Sequence, residues 1–278
     1  MNTKLAAREL TADYKAKGIS ATMKKTAKEF NKWKERLFED DIYQLHLRYI
    51  IAFFHARKDA ANRECEEVPC DIFCSYPQII TEMLRDANLL YSDNQFLGAQ
   101  IHGLFEGKLV VEPGCRSGEF LEFAYFHGAD VGGSTTGSYF RAAMKNLDGE
   151  GSIVESDALN AHKSLFVLEP DFLTSANLFD ITRWKGRNEI PLSIIKNSFR
   201  AIASPKTMCY INPSTEPLRM DRKPVGSVLK RDDFEKLEEE GIIRDLRVSE
   251  QLQGDGRELM RVYRFRFVKE EGSQEARR

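Results

Sequence analysis

The sequence predicts an α/β protein: a doubly wound, mostly parallel seven-stranded sheet that ends in an antiparallel hairpin, with an N-terminal α-helical cap. Three observations predict it. From residue 108 to residue 211 strand and helix patterns alternate with short connections, which implies parallel strands, right-handed crossovers and helices on both faces. The last two strand patterns flank Gly254-Asp255-Gly256 and therefore form a hairpin. Residues 1–63 carry helical periodicity.

In the cap, Thr22 to Phe38 is Lys-rich with spaced apolar positions, and Ile42 to Ala56 places Tyr43, Leu47, Ile50, Ile51 and Phe54 at helical spacing. Pro69 breaks the pattern, so a boundary is expected near residue 70, dividing the chain into a cap (1–70), the α/β domain (71–270) and a polar tail (271–278). A helix is expected from about Pro77, with Ile79, Ile80, Met83 and Leu84 on one face, followed by a polar turn at Ser92-Asp93-Asn94. The alternation then predicts strand 108–112, helix 119–126, a short strand around Val131, helix 139–146 and strand 152–155. It continues with strand 179–182, helix 192–202 and strand 208–211. Helix 232–240 stops at Gly241, and strands 243–248 and 258–268 close the chain. A sheet that ends in an antiparallel hairpin departs from the ordinary dinucleotide-binding fold, whose sheet ends parallel.

Composition narrows the function classes. The 278 residues are 42% hydrophobic and 30% charged, enough to build a core and too balanced for disorder. Forty-one Lys and Arg against 43 Asp and Glu give a net charge of -2, so no global field draws the chain to nucleic acid or an anionic membrane. Lys24, Lys25, Lys28, Lys32, Lys34 and Arg36 form a local basic face, of the kind that is usually solvated; the N-terminal helices are a candidate surface for a protein partner. No apolar stretch approaches the ~20 residues that span a bilayer, and the first residues lack the apolar centre of a secretory signal, so a cytoplasmic protein is expected. Five cysteines suit a reducing compartment better than a disulfide framework. His55, Cys65, Cys70 and Cys74 lie close in sequence, but without a C-x-x-C knuckle their spacing fits no common zinc site, and no metal is expected.

The segment that carries chemistry is Leu109-Val110-Val111-Glu112-Pro113-Gly114-Cys115-Arg116-Ser117-Gly118, a strand that enters a glycine turn and feeds a helix. Such a turn brings backbone N–H groups and a positive helix end to the carboxyl edge of the sheet, where ligands bind. Gly114 permits a strained backbone and Gly118 a close approach of the chain to ligand or sheet. The Glu112 carboxylate suits an ammonium or the turn amides better than a pyrophosphate.

Glu112-Pro113-Gly114-Cys115-Arg116-Ser117-Gly118 resembles the E-x-G-x-G-x-G turn of class I S-adenosylmethionine-dependent methyltransferases, with Arg116 in place of the middle glycine. The resemblance covers about residues 77–270 and implies a Rossmann-like methyltransferase domain with S-adenosylmethionine as cofactor. It places Thr135, in Ala129-Asp130-Val131-Gly132-Gly133-Ser134-Thr135, where the family ends its second strand with an acid that binds the ribose hydroxyls. A hydroxyl makes one such bond where a carboxylate accepts two. Asp130 is nearby but on the wrong side of the strand end. Glu155-Ser156-Asp157-Ala158-Leu159 resembles the step whose aspartate and following N–H meet the adenine edge, although an Asp there also caps a short helix. The cofactor-binding set implied is Glu112, Pro113, Gly114, Cys115, Gly118, Thr135, Asp157 and Ala158.

Leu178 to Gly186 aligns with the fourth strand and the substrate segment after it. It holds no N-P-P-Y, which argues against methylation of adenine or cytosine amino groups, and its Trp184 reads as a packing residue or a stacking platform. Leu192 to Pro213 resembles the family's fifth unit without the glycines of its P-G-G turn, and Asp233 to Gly241 the helix before its sixth strand. Cys74-Ser75-Tyr76-Pro77 is similar to the segment preceding the first strand in amino-methylating enzymes, though a proline there also starts a helix. His127 and His162 are isolated histidines, and no catalytic residue is assigned. The function implied is methyl transfer to an undetermined acceptor, which is a small molecule, a protein or a nucleic acid, with the cap closing over it. The alternative is an inactive pseudo-methyltransferase serving as a partner subunit, suggested by Arg116 and Thr135. A Rossmann-type enzyme for another nucleotide is disfavoured by the final hairpin.

Overall fold

The computed structural model describes residues 50, 54, 72–89, 97–176, 178–179, 189–213, 215–217, 229–253 and 258–269. In chain order the described elements are α1 (Ile72–Asp86), α2 (Leu97–Phe105), β1 (Leu109–Pro113), α3 (Glu119–Phe126), β2 (Asp130–Thr135), α4 (Ser138–Asn146), β3 (Ser152–Glu155), α5 (His162–Leu165) and β4 (Phe172–Ala176). A helix α6 follows, made of Glu189–Ser193, a π-helical Ile194–Phe199 and Arg200–Ile202. Then come β5 (Met208–Asn212), β6 (Thr215–Pro217), α7 (Arg231–Glu239), β7 (Ile243–Gln253) and β8 (Glu258–Phe267). The expected Ser92-Asp93-Asn94 and Gly254-Asp255-Gly256 turns, the boundary near residue 70 and the polar tail lie outside the described residues.

The eight strands among the described residues occupy seven positions. Pairing runs β3-β2-β1-β4-β5 in parallel, and β8 joins antiparallel to β5. On one edge β8 pairs first with β6 and then with β5, at Met260↔Thr215 and Tyr263↔Ile211, while its other edge pairs with β7 throughout. Strands β5 and β6 are thus one interrupted position, and the order is the expected mostly parallel sheet ended by a hairpin.

The glycine pair of β2 shows that both faces are covered. Successive strand residues point to opposite faces, and a Cβ on Gly132 would meet Leu168 whereas one on Gly133 would meet Leu121 of α3. On the Leu168 face, Val111, Leu173, Cys209 and Ile211 pack with Leu165, Ile194, Phe199, Phe234 and Leu237 of α5, α6 and α7. In α6 the neighbours Ile194 and Ile195 are both fully buried, as are Ser198 and Phe199. Helix α7 starts with Asp233 Oδ2 accepting the Lys230 N–H at 2.8 Å, and it stacks Phe234 on Tyr263 of the hairpin at 4.0 Å between centroids.

The chain divides into two compact units, residues 1–107 with 122–129, and residues 108–121 with 130–278. Within the first, Phe54, Tyr76, Phe105 and Phe123 form an aromatic cluster, with Phe54 at 5.2 Å from Tyr76 and 5.5 Å from Phe123. Ile50 and Phe54, one helical turn apart, are both helical and buried, as their spacing predicts.

Two expectations are corrected. The fourth strand is Phe172–Ala176 rather than 179–182: all five residues are half-buried or buried, and the polar Thr174 and Ser175 hide in the sheet without the alternation that marks a strand in sequence. Phe179 enters the core from a turn instead, and residues 180–188, Trp184 included, lie outside the described set. Helix α1 begins at Ile72, so Pro77 lies inside it and not at its start; the Thr81 hydroxyl donates to the Pro77 carbonyl at 2.7 Å. Helix α2 was not expected at all.

Candidate functional site

The β1–α3 turn is held to β2. The Gly114 and Cys115 N–H groups both donate to the Ser134 carbonyl, at 2.8 and 2.9 Å, and the Gly118 N–H closes the turn on the Cys115 carbonyl at 2.8 Å. Asn146, the last residue of α4, donates from Nδ2 to the Ser117 carbonyl at 2.8 Å. Three alternate residues of the turn have left-handed backbones: Gly114 (φ 78°), Arg116 (φ 52°) and Gly118 (φ 76°). Arginine therefore occupies a conformation that favours glycine, at a cost of about 1 kcal/mol.

One pocket opens at the carboxyl ends of β1, β2 and β3, lined by Gly114, Arg116, Thr135, Thr136, Tyr139, Ser156, Asp157 and Ala158. Four members of the expected set meet there: Gly114, Thr135, Asp157 and Ala158. The other four are not among its lining residues. Glu112 and Pro113 are buried at the end of β1. A Cβ on Gly133 would come within 3.0 Å of the Cys115 Sγ, so this thiol fills the space that a strand glycine leaves, and burial and the neighbouring Glu112 and Glu119 carboxylates push its pKa well up. Gly118 faces Ala143 and Leu147, which makes its close approach one to α4.

The pocket is lined mostly by residues with polar side chains, and three of its four hydroxyls stand at or just past strand ends. Thr135 ends β2, Thr136 follows it, and Ser156 follows β3. Asp157 accepts the Asn160 N–H at 2.9 Å through Oδ1 and the Asn160 amide through both oxygens, at 3.1 and 3.2 Å, so it caps the turn after β3 while lining the pocket. The capping reading of that residue is thus shown, and its side chain also stands at the pocket. Glu155 accepts the Gly137 N–H at 3.2 Å and so serves the start of α4.

Arg116 reaches the pocket. Its guanidinium lies 6.0 Å from the centroid of the Tyr139 ring, and its Nη1 is buried with no hydrogen-bond partner among the described residues. Sequence reasoning missed Thr136, Tyr139 and Ser156 as lining residues. Thr136 and Ser156 were within reach, because each immediately follows a predicted strand end, whereas Tyr139 announces itself only once the pitch of α4 is known.

His127 is 1% exposed, packed 4.6 Å from Phe123 and 5.3 Å from Phe126, and burial together with the nearby His102 lowers its pKa to about 3. It is a neutral core histidine. His162 faces solvent beside the Leu159 carbonyl at 3.2 Å. No group of three or more His, Cys, Asp or Glu among the described residues has the geometry of a metal site, and the side chains of His55, Cys65, Cys70 and Cys74 lie outside that set. No helix among the described residues is long and apolar enough to cross a membrane.

No family model and no curated protein sequence matches the chain. Solved structures do. A protein from work on the conversion of a disulfide bond into a thioacetal group during echinomycin biosynthesis aligns with 79% of this chain and 95% of its own, at 16% identity and a TM-score of 0.51. Magnesium protoporphyrin IX methyltransferase of Synechocystis PCC 6803, solved with bound S-adenosylmethionine, aligns with 80% of this chain and 97% of its own, at 12% identity and a TM-score of 0.46. A SAM-dependent methyltransferase of Methanosarcina mazei aligns with 59% of this chain and 94% of its own, at 16% identity and a TM-score of 0.45. At such identities the likeness is one of fold, and the strand order agrees with it: the chain has the fold of class I S-adenosylmethionine-dependent methyltransferases.

Proposed function

We propose that this chain binds S-adenosylmethionine in the pocket at the ends of β1, β2 and β3, and transfers its methyl group to a nucleophilic acceptor. The observation that carries the reading is the convergence of three separate strand ends, at residues 114–116, 135–139 and 156–158, on one pocket of a methyltransferase fold. When bound, the cofactor would supply a methyl group on a sulfonium, whose sulfur would depart as a neutral thioether without acid assistance.

The chain's own residues fit the adenosine half of that group. Asp157 presents carboxylate oxygens and Ala158 a backbone N–H to an adenine edge, Thr135 a hydroxyl to ribose, and the left-handed Gly114 leaves the turn without a side chain where a ligand passes. Binding and orienting are the catalytic contributions these residues make, since holding acceptor and donor in line removes most of the entropic barrier to displacement. Nothing among them needs to move a proton when the acceptor is already nucleophilic.

Isothermal titration of the full chain with S-adenosylmethionine and S-adenosylhomocysteine tests this, alongside Ser156→Trp, which fills the pocket from a half-buried wall position. Saturable heat for both ligands in the wild type, lost in Ser156→Trp at unchanged thermal unfolding, is the expected result. No heat at millimolar ligand, or binding that Ser156→Trp leaves intact, sinks the proposal.

A further inference from the structure

The β7–β8 ribbon sorts its charges by face. Residues directly opposite one another in an antiparallel pair share a face, as do alternate residues along a strand. On the Tyr263 face, which packs on α7, Glu250 stands opposite Arg261 and the two are ion-paired at 2.7 Å. On the other face Arg244 stands opposite Arg266 and Arg247 opposite Arg264, so four arginines meet in two like-charged pairs. The bulge between Arg244 and Arg247 keeps both on that face, because its extra residue restores the alternation. Asp245, in the bulge, lies 3.5 Å from Arg266 Nη1. Arg244 and Arg247 are exposed and pair with no carboxylate among the described residues. Like charges directly opposite destabilise a ribbon, and a carboxylate at either exposed position would remove the repulsion, as Glu250 does on the first face. The arrangement therefore suits an anion from outside the chain.

We propose that this arginine face docks a nucleic-acid strand through its phosphates, without reading its sequence. Planar guanidinium forks match phosphate oxygens bidentately, and a cluster of them releases condensed counterions as it binds. What surrounds the arginines favours this anion over others. The exposed large apolar side chains among the described residues are Tyr125, Phe126, Leu159, Phe166 and Val167, none of them within 243–250 or 261–267. A protein interface draws its affinity from buried aromatic and aliphatic anchors, and a membrane-bound surface inserts such groups between lipids. A phosphodiester backbone needs neither. With a net charge of -2 the whole chain supplies no attraction, so the local cluster carries it. The inference does not rest on the cofactor pocket, which lies at other strands.

Fluorescence anisotropy of a short labelled single-stranded RNA of mixed sequence, titrated with the full chain at several salt concentrations, tests this. Each phosphate neutralised on a single strand contributes about 0.7 to the slope of log K against log salt. Arg244→Gln combined with Arg247→Gln is therefore expected to reduce the slope by about 1.4 and to weaken binding about 25-fold at about 0.1 M salt. Arg244→Glu combined with Arg247→Glu should abolish binding while the urea midpoint stays unchanged or rises, because each carboxylate then faces an arginine; this separates docking from folding. No RNA binding at low salt, or an affinity and slope that both double variants leave unchanged, overturns the proposal. So does an Arg244- and Arg247-dependent preference for phosphatidylserine vesicles or poly-glutamate over RNA. A lower urea midpoint in the glutamate variant refutes the claim that the like-charged pairs are kept for a ligand. Failure to bind S-adenosylhomocysteine touches only the cofactor reading, and failure to bind RNA only this one.

Discussion

Gly133→Ala is the substitution that the architecture of the site forbids most clearly. A Cβ there would lie 2.7 Å from Leu121 Cδ1, 3.0 Å from the Cys115 Sγ and 3.0 Å from the Glu112 carbonyl oxygen. The leucine methyl has room to rotate. The carbonyl does not, because it belongs to β1, whose Glu112 is paired with Gly133 itself in the parallel ladder. Overpacking of this kind costs ~1–3 kcal/mol, which in a chain of this length lowers the melting temperature by roughly 2–10 °C. Because the thiol is one of the three obstacles, Cys115→Ala in the same molecule should return part of the loss, a coupling of about 0.5–1 kcal/mol in a double-mutant cycle. Urea unfolding of the wild type, both single variants and the double variant measures it. A stability change within about 0.5 kcal/mol for Gly133→Ala, or strict additivity with Cys115→Ala, refutes the claim that β2 carries glycine to seat the cysteine of the turn.

Asp157→Ala should cost about 1 kcal/mol as a lost cap and also weaken S-adenosylhomocysteine, so urea unfolding and titration must move together; a loss in only one would separate the cap from the ligand role. His127 holds its pKa near 3 in the folded chain against about 6.5 when unfolded. Between those values the unfolded chain binds a proton that the folded one does not, so stability falls by about 1.4 kcal/mol per pH unit as pH drops below 6.5. His127→Phe should flatten that limb relative to wild type between pH 7.5 and 5, and identical slopes would show that the histidine charges without unfolding. Cys115 and Cys209 are buried thiols with raised pKa, and peptide mapping after N-ethylmaleimide treatment at neutral pH should find both unmodified in the native protein and modified in urea.

How much of this was legible in the sequence depends on what each element needed to declare itself. Helix α3 and strand β3 match their predicted limits because the glycine turn before α3 and the charged ends of Ser152-Ile153-Val154-Glu155 mark them locally. Strand β4 was missed because its identity comes from burial on both faces, which lets Thr174 and Ser175 replace the apolar run that a central strand ordinarily shows. Helix α2 carries Ile101, Leu104 and Phe105 at helical spacing, yet two glycines and an unexpected position hid it. At the site, the family resemblance named Gly114, Thr135, Asp157 and Ala158, and these four line one pocket because strand ends of a parallel sheet share one edge. Which way Arg116 and Cys115 point is not a property of order. One turn sends the thiol into the sheet and the guanidinium into the pocket, and only the positive φ at residue 116 and the gap at Gly133 explain the division.

The most direct measurement is a crystal structure of the chain with S-adenosylhomocysteine. The account predicts electron density for adenosine among Gly114, Thr135, Ser156, Asp157 and Ala158, with the adenine edge within hydrogen-bond distance of the Asp157 carboxylate and the Ala158 N–H. Density bound elsewhere, or a pocket in which Arg116 and Tyr139 stay in place and no nucleoside enters at saturating ligand, would contradict it.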